Sequence, residues 1–150
     1  MRPSTRPAVV AGEALRAVLD VNVLISAVLS PTGAPARLLL AWQAGAFELI
    51  VSPALLAELA RALGYPKLRR LVPAVDADAY VDWLERSATV VHDPDGPPPV
   101  RVVDPGDDYL VALAADQTAM LVSGDRHLLA LAEDFPVITP ARFFTTIANR

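Results

Sequence analysis

Apolar residues in this chain come in short runs, each stopped by a polar or turn-forming residue. Ala17, Val18 and Leu19 form one such run, which ends at Asp20 with Asn22 two residues on. An uninterrupted β-branched or aliphatic run of this length predicts a strand buried on both faces of a parallel sheet. Val21–Leu29 is apolar enough to continue as a helix, and Ser30-Pro31-Thr32-Gly33 closes it with a turn. Pro35 suits the first turn of a helix running through Trp42, with Gly45 as the stop. The bulky run 47–51 predicts a second strand. Ser52-Pro53 then supplies a cap and a first-turn proline for a helix through about Leu63, ended by Gly64.

Residues 65–71 predict a short basic helix or turn holding Lys67, Arg69 and Arg70. Tyr80, Trp83 and Leu84 recur at helical spacing, which predicts an amphipathic helix over residues 76–88. A short strand follows at residues 89–91. Residues 93–99 (DPDGPPP) form an irregular connector stiffened by proline. Further on, the pattern predicts a helix over 107–115, a strand over 120–123 and a helical turn or two over 126–131. It closes with a last strand at Val137–Ile138 and a helix over Pro140–Ala148. Strands alternating with helices imply βαβ units and a mostly parallel sheet, an α/β fold. No internal repeat and no second domain is visible.

Composition narrows the chemistry. At 150 residues and 53% apolar, the chain suffices for one domain with a full core. Cysteine is absent, which excludes disulfide scaffolds, thiolate metal sites and cysteine nucleophiles. Arginine supplies twelve of the thirteen basic residues and Lys67 the other, with no glycine-rich loop before it, so a phosphate loop is excluded. His92 and His127 are the only histidines, too few for a three-histidine zinc site. Charges interrupt every apolar run well before the roughly 18 residues a transmembrane helix needs. Residues 1–14 read as a flexible extension carrying Arg2 and Arg6; its apolar patch, 8–11, is shorter than the roughly 7 residues of a signal-peptide core. The expectation is a cytoplasmic, membrane-free protein whose domain spans residues 15–150.

Four carboxylates stand where solvated surface charges usually do not. Asp20 ends the first strand, and Asp125 follows Leu121-Val122-Ser123-Gly124 in the same way. Parallel strands point one way, so both emerge at one edge of the sheet. Asp107 opens a helix at that edge, with Leu110, Val111 and Ala114 at helical spacing behind it. Glu58 lies about 9 Å into the Ser52-capped helix, beside its apolar face, and leans over the edge. Read singly, each has a structural explanation: Asp107 and Asp125 as helix caps or turn residues, Glu58 as a boundary charge. Together they would repel one another, by roughly 3 kcal/mol for each pair 5 Å apart at an effective dielectric near 20. Oxygen-only ligands favour a hard cation, Mg²⁺ or Mn²⁺. Asn22 and Ser123 are placed to support the carboxylates, and Asp108 and Asp104 flank Asp107. Arg37, Arg61, Lys67, Arg69, Arg70 and Arg126 are candidate phosphate contacts.

These segments resemble the PIN-domain family of metal-dependent ribonucleases, in the VapC-like branch of toxins from type II toxin–antitoxin modules. The matching residues are Val18-Leu19-Asp20-Val21-Asn22-Val23-Leu24-Ile25-Ser26, Ser52-Pro53 with Glu58, Asp104-Pro105-Gly106-Asp107-Asp108-Tyr109-Leu110, and Leu121-Val122-Ser123-Gly124-Asp125. The order and spacing of the set are specific. Val21 and Ser123 stand where threonine is common in the family, and neither change removes a carboxylate. The resemblance implies a three-layer α/β/α sandwich, homodimerisation, cleavage of single-stranded or loop RNA, and a cognate antitoxin. It places the family's acidic residues on Asp20, Glu58, Asp107 and Asp125. Two rivals are a Mg²⁺-dependent phosphatase, which would want an aspartate where Asn22 stands, and a PIN-like domain that binds RNA or protein without cutting.

Overall fold

Five short strands build the centre of the protein: β1 (Arg16–Leu19), β2 (Glu48–Val51), β3 (Thr89–Val90), β4 (Met120–Val122) and β5 (Val137–Ile138). The computed structural model describes residues 15–150; the extension read over residues 1–14 lies outside the described residues. The strands lie in the order β3-β2-β1-β4-β5, and every pairing is parallel. A wholly parallel sheet needs cover on both faces. Val18, Leu19, Leu49, Ile50, Val51, Leu121 and Val122 are accordingly sealed from solvent.

The cover comes from α1 (Val21–Leu29), α2 (Ala34–Gln43), α3 (Pro53–Leu63), α4 (Pro66–Arg69), α5 (Ala74–Ser87), α6 (Asp108–Asp116), α7 (Arg126–Leu129) and α8 (Pro140–Ala148). From β1 through β2 to β3 the chain steps toward one edge, and from β3 through β4 to β5 toward the other. Right-handed crossovers therefore put the two sets of connecting helices on opposite faces. α1 packs on α2 and α3, and α3 on α5, while α6 lies directly against β1 and β4. The result is the expected three-layer α/β/α arrangement. The direction of winding reverses between β1 and β4, and a crevice opens beyond their carboxyl ends, where such folds bind ligands.

Element boundaries differ from the sequence pattern in small, explicable ways. α5 starts at Ala74, ahead of the expected Asp76, because its first turn faces solvent, with Val75 73% exposed, and leaves no amphipathic signal. A 3₁₀ turn over Pro105–Asp107 precedes α6, so Asp107 sits just before the helix and makes no side-chain capping bond. β4 ends at Val122, yet Ser123 still donates its backbone N–H to Ile138 O at 3.0 Å. Among the described residues no single helix is long and apolar enough to cross a membrane. α1, the most apolar of them, buries Val23, Leu24, Ile25 and Ala27 in the core.

The amino ends of the strands are tied by a polar chain. Arg16 Nε donates to Glu48 Oε1 at 2.9 Å, and Thr89 Oγ1 donates to Glu48 Oε2 at 2.7 Å, linking β1, β2 and β3. Arg16 also donates to the carbonyl and side-chain oxygens of Gln117, which follows α6. Burial alone would raise the Glu48 carboxyl, but the bonds from Arg16 and Thr89 outweigh it and hold it below its ordinary value. Glu48→Ala strips Arg16 and Thr89 of their shared acceptor at once. It is expected to cost about 1–3 kcal/mol, read as a lower denaturation midpoint at unchanged m value, and Glu48→Gln to cost less because it keeps an acceptor for Thr89.

Candidate active site

The site begins with strand pairing. Leu19 and Val122 are register partners across β1 and β4, and Asp20 donates its backbone N–H to Val122 O at 3.0 Å. The next residue of each strand, Asp20 and Ser123, must therefore meet. Ser123 donates its hydroxyl to Asp20 Oδ2 and in turn accepts the backbone N–H of Asp125 at 3.0 Å. Asp20 Oδ1 accepts the N–H of Val23 at 2.9 Å, which makes Asp20 the cap of α1. Only 4% of Asp20 is exposed. Burial pushes its carboxyl above the ordinary range, the bonds from Ser123 and Val23 oppose that, and the nearby charge of Asp125 adds to it.

Asp125 caps α7 by accepting the N–H of His127 at 2.8 Å, so the capping role and a place in the cluster coincide in one residue. Asp107 reaches the crevice from the 3₁₀ turn, and its side chain accepts no hydrogen bond from the described residues. Desolvation, then the charges of Asp104, Asp125, Asp20 and Asp108, push its pKa up to about 6. Glu58 arrives on α3 and is ion-paired with Arg61 one turn further along. Asp20, Asn22, Glu58, Asp107 and Asp125 all line one cleft of about 300 Å³. Ser123 sits behind them, fully buried.

Other expected residues are placed differently. Asp104 lines the cleft but spends one oxygen on the N–H of Gly106 at 2.9 Å, and Asp108 lines a neighbouring pocket. Arg61 is engaged with Glu58, and Arg37 lies over the Phe144 ring at 5.8 Å. Lys67, Arg69 and Arg70 are exposed on and just after α4, and both histidines are exposed. Sequence reasoning missed two lining residues, Tyr65 and Tyr109. Tyr109 had a signal: it is two residues past Asp107 at the opening of α6. Burial, then the charges of Glu58, Asp107, Asp20 and Asp93, raise its hydroxyl pKa, so it stays a neutral donor.

The donor set, all oxygen and mostly carboxylate, fits a hard divalent ion. The carboxylates ring the cleft at a distance, however, and among the described residues no three acidic or histidine side chains stand close enough to ligate one ion together. Without a cation, Asp107 carries an uncompensated cost whose sign is set by its raised pKa. The native state holds the proton more tightly than the unfolded chain, so its stability falls as pH rises from about 4 through about 6. Asp107→Asn is expected to match the parent in Tm near pH 4 and to exceed it by about 2–4 °C at pH 8, a figure held to about 1 kcal/mol because the group is partly solvated.

A profile of the PIN domain matches residues 16–127. Among solved structures, VapBC2 from Rickettsia felis, bound to a DNA fragment from its promoter, is similar with a TM-score of 0.61 at 12% identity, over 83% of this chain and 98% of that one. PAE2754 from Pyrobaculum aerophilum is similar with a TM-score of 0.60 at 22% identity, over 91% and 97%. FitAB bound to the IR36 DNA fragment gives 0.51 at 18%, over 83% and 94%. No curated protein matches the chain. These likenesses carry the fold; the profile match, which includes Asp20, Glu58, Asp107 and Asp125, carries the family. The chain belongs to the PIN-domain family, whose members are generally nucleases that use divalent metal ions.

Proposed function

We propose that this protein is a Mg²⁺- or Mn²⁺-dependent endoribonuclease that cuts single-stranded or loop RNA, acting as the toxin of a toxin–antitoxin module. The observation that carries the reading is the convergence of Asp20, Glu58, Asp107 and Asp125, from four separate elements, on one cleft at the sheet's switch point. Asp20, Asp107 and Asp125 would hold the metal, which supplies a bound water of lowered pKa and neutralises charge on the phosphate in flight. Glu58, now paired with Arg61, would orient that water or help hold a second ion. Ser123 fixes Asp20 in one rotamer by its hydroxyl bond, Asn22 orients carboxylate or water at the rim, and Asp108 acts on Asp107 through its charge.

The net charge of −4 makes general phosphate affinity weak, so productive RNA contact depends on the metal and on local cations such as Lys67, Arg69 and Arg70. The structural neighbours VapBC2 and FitAB are themselves described in complexes with DNA. That supports an antitoxin partner, a basic one for this acidic chain; a cytoplasmic homodimer belongs to the same proposal. The spread of the carboxylates favours one rival, a PIN-like domain that binds RNA or protein without turnover.

Purified protein incubated with structured RNA separates the two readings. Cleavage is expected with Mg²⁺ or Mn²⁺ and none with EDTA. Asp20→Asn is expected to lose more than about 100-fold in rate while its Tm holds or rises, since the transition-state contribution of the metal goes with its central ligand. An Asp20→Asn protein cutting at the parental rate would overturn the assignment. Protons and metal compete for Asp107, so the Tm gain on adding Mn²⁺ is expected to be small at pH 5 and to grow through about pH 6.

A further inference from the structure

Tyr109 stands between two hollows. One is the carboxylate cleft; the other is a pocket of about 500 Å³ lined by Pro94, Asp95, Pro97, Pro98, Asp108 and Ala112. No lysine or arginine is among the described residues that line it. A phosphate would be repelled there by two carboxylates. What the pocket offers instead is three prolines and a tyrosine for a flat ligand to pack on, with carboxylate acceptors that only N–H or O–H donors can satisfy.

The wall is also built in advance. Pro94, Pro97 and Pro98 each fix their own φ, so the apolar part of the wall has little freedom to lose on binding. The segment is anchored at its start: Val91 donates its N–H to Val51 O at 2.9 Å, and Asp93 Oδ2 accepts the N–H of Ala54 at 2.9 Å, at the opening of α3. Single-stranded RNA is read by this combination, a base stacked on an aromatic ring and bonded along its exposed edge. Guanine alone among the four RNA bases presents two adjacent N–H donors, N1–H and the 2-amino group, which match the two oxygens of one carboxylate. Uracil sets a single N–H between two carbonyl oxygens that would face the carboxylates.

We propose that this pocket is a nucleobase subsite for a guanine next to the scissile phosphate, with the ring against Tyr109 and the prolines and its Watson–Crick edge donating to Asp95. The inference rests on the ribonuclease reading for its source of guanine, and the subsite would give the enzyme a base preference at one fixed position beside the cut.

The test uses the full chain, labelled with ¹⁵N and titrated in MgCl₂ with GMP, IMP and UMP. GMP is expected to shift the amides of Gly96 and Ala112 and to bind about tenfold more tightly than IMP, which lacks the 2-amino group, with UMP weaker still. Asp95→Asn, an exposed loop substitution, is expected to bring GMP to the level of IMP. In parallel, the cleavage sites of a mixed RNA are mapped with Mg²⁺ or Mn²⁺. Guanine is expected at a fixed position for the parent and not for Asp95→Asn. Equal binding of the three nucleotides, or shifts that spare Gly96 and Ala112, overturns the subsite even where RNA is cut. Selective GMP binding by a protein that cuts no RNA supports the subsite and overturns the nuclease reading.

Discussion

The rest of the site depends on one buried contact, the hydrogen bond from Ser123 to Asp20. Parallel pairing of β1 with β4 brings these two residues side by side at the carboxyl edge, where Ser123 is sealed from solvent and Asp20 is nearly so. A carboxylate at 4% exposure is tolerable only because both oxygens accept hydrogen bonds, one from the Val23 N–H in the first turn of α1 and one from the Ser123 hydroxyl. The same hydroxyl accepts from the backbone of Asp125. One small side chain thus fixes the rotamer of one carboxylate and the backbone that presents another.

Around that fixed pair the cleft is electrostatically unfinished. Asp107 faces the charges of Asp104, Asp125, Asp20 and Asp108 without a hydrogen bond of its own among the described residues. Glu58 is the exception, since Arg61 already neutralises it at the rim. The cleft therefore combines an inner carboxylate bonded at both oxygens, one carboxylate without a hydrogen bond among the described residues, and one paired with Arg61. An arrangement of this kind suits a centre assembled by its metal and substrate, with preorganisation confined to the base of the cleft.

The crevice and the pocket beside it have walls of different origin. The crevice is walled by α1 and α3, which start at strand ends on the carboxyl edge, and by the 3₁₀ turn and first turn of α6. The pocket is walled on one side by the proline-rich connector after β3, which has no regular structure and is held by its prolines and by Asp93. Tyr109 joins the walls, with its hydroxyl kept neutral by burial and by the carboxylates around it.

The strand ends were legible in the sequence, because a buried parallel strand is an uninterrupted apolar run and its last residue is wherever that run meets a charge. The sequence pattern alone puts Asp20 and Asp125 on one edge, and it also marks the cap at Ser52 and the stop at Gly64. What no local pattern carried was which strands are neighbours. The order β3-β2-β1-β4-β5 decides that Ser123 bonds Asp20 and that Tyr65 and Tyr109 share one cleft. The physical reason is range. Caps, turns and periodicity are set by residues within one or two helical turns, whereas the site is made by contacts across more than 100 residues of sequence, as between Asp20 and Ser123, and only the closed sheet supplies those.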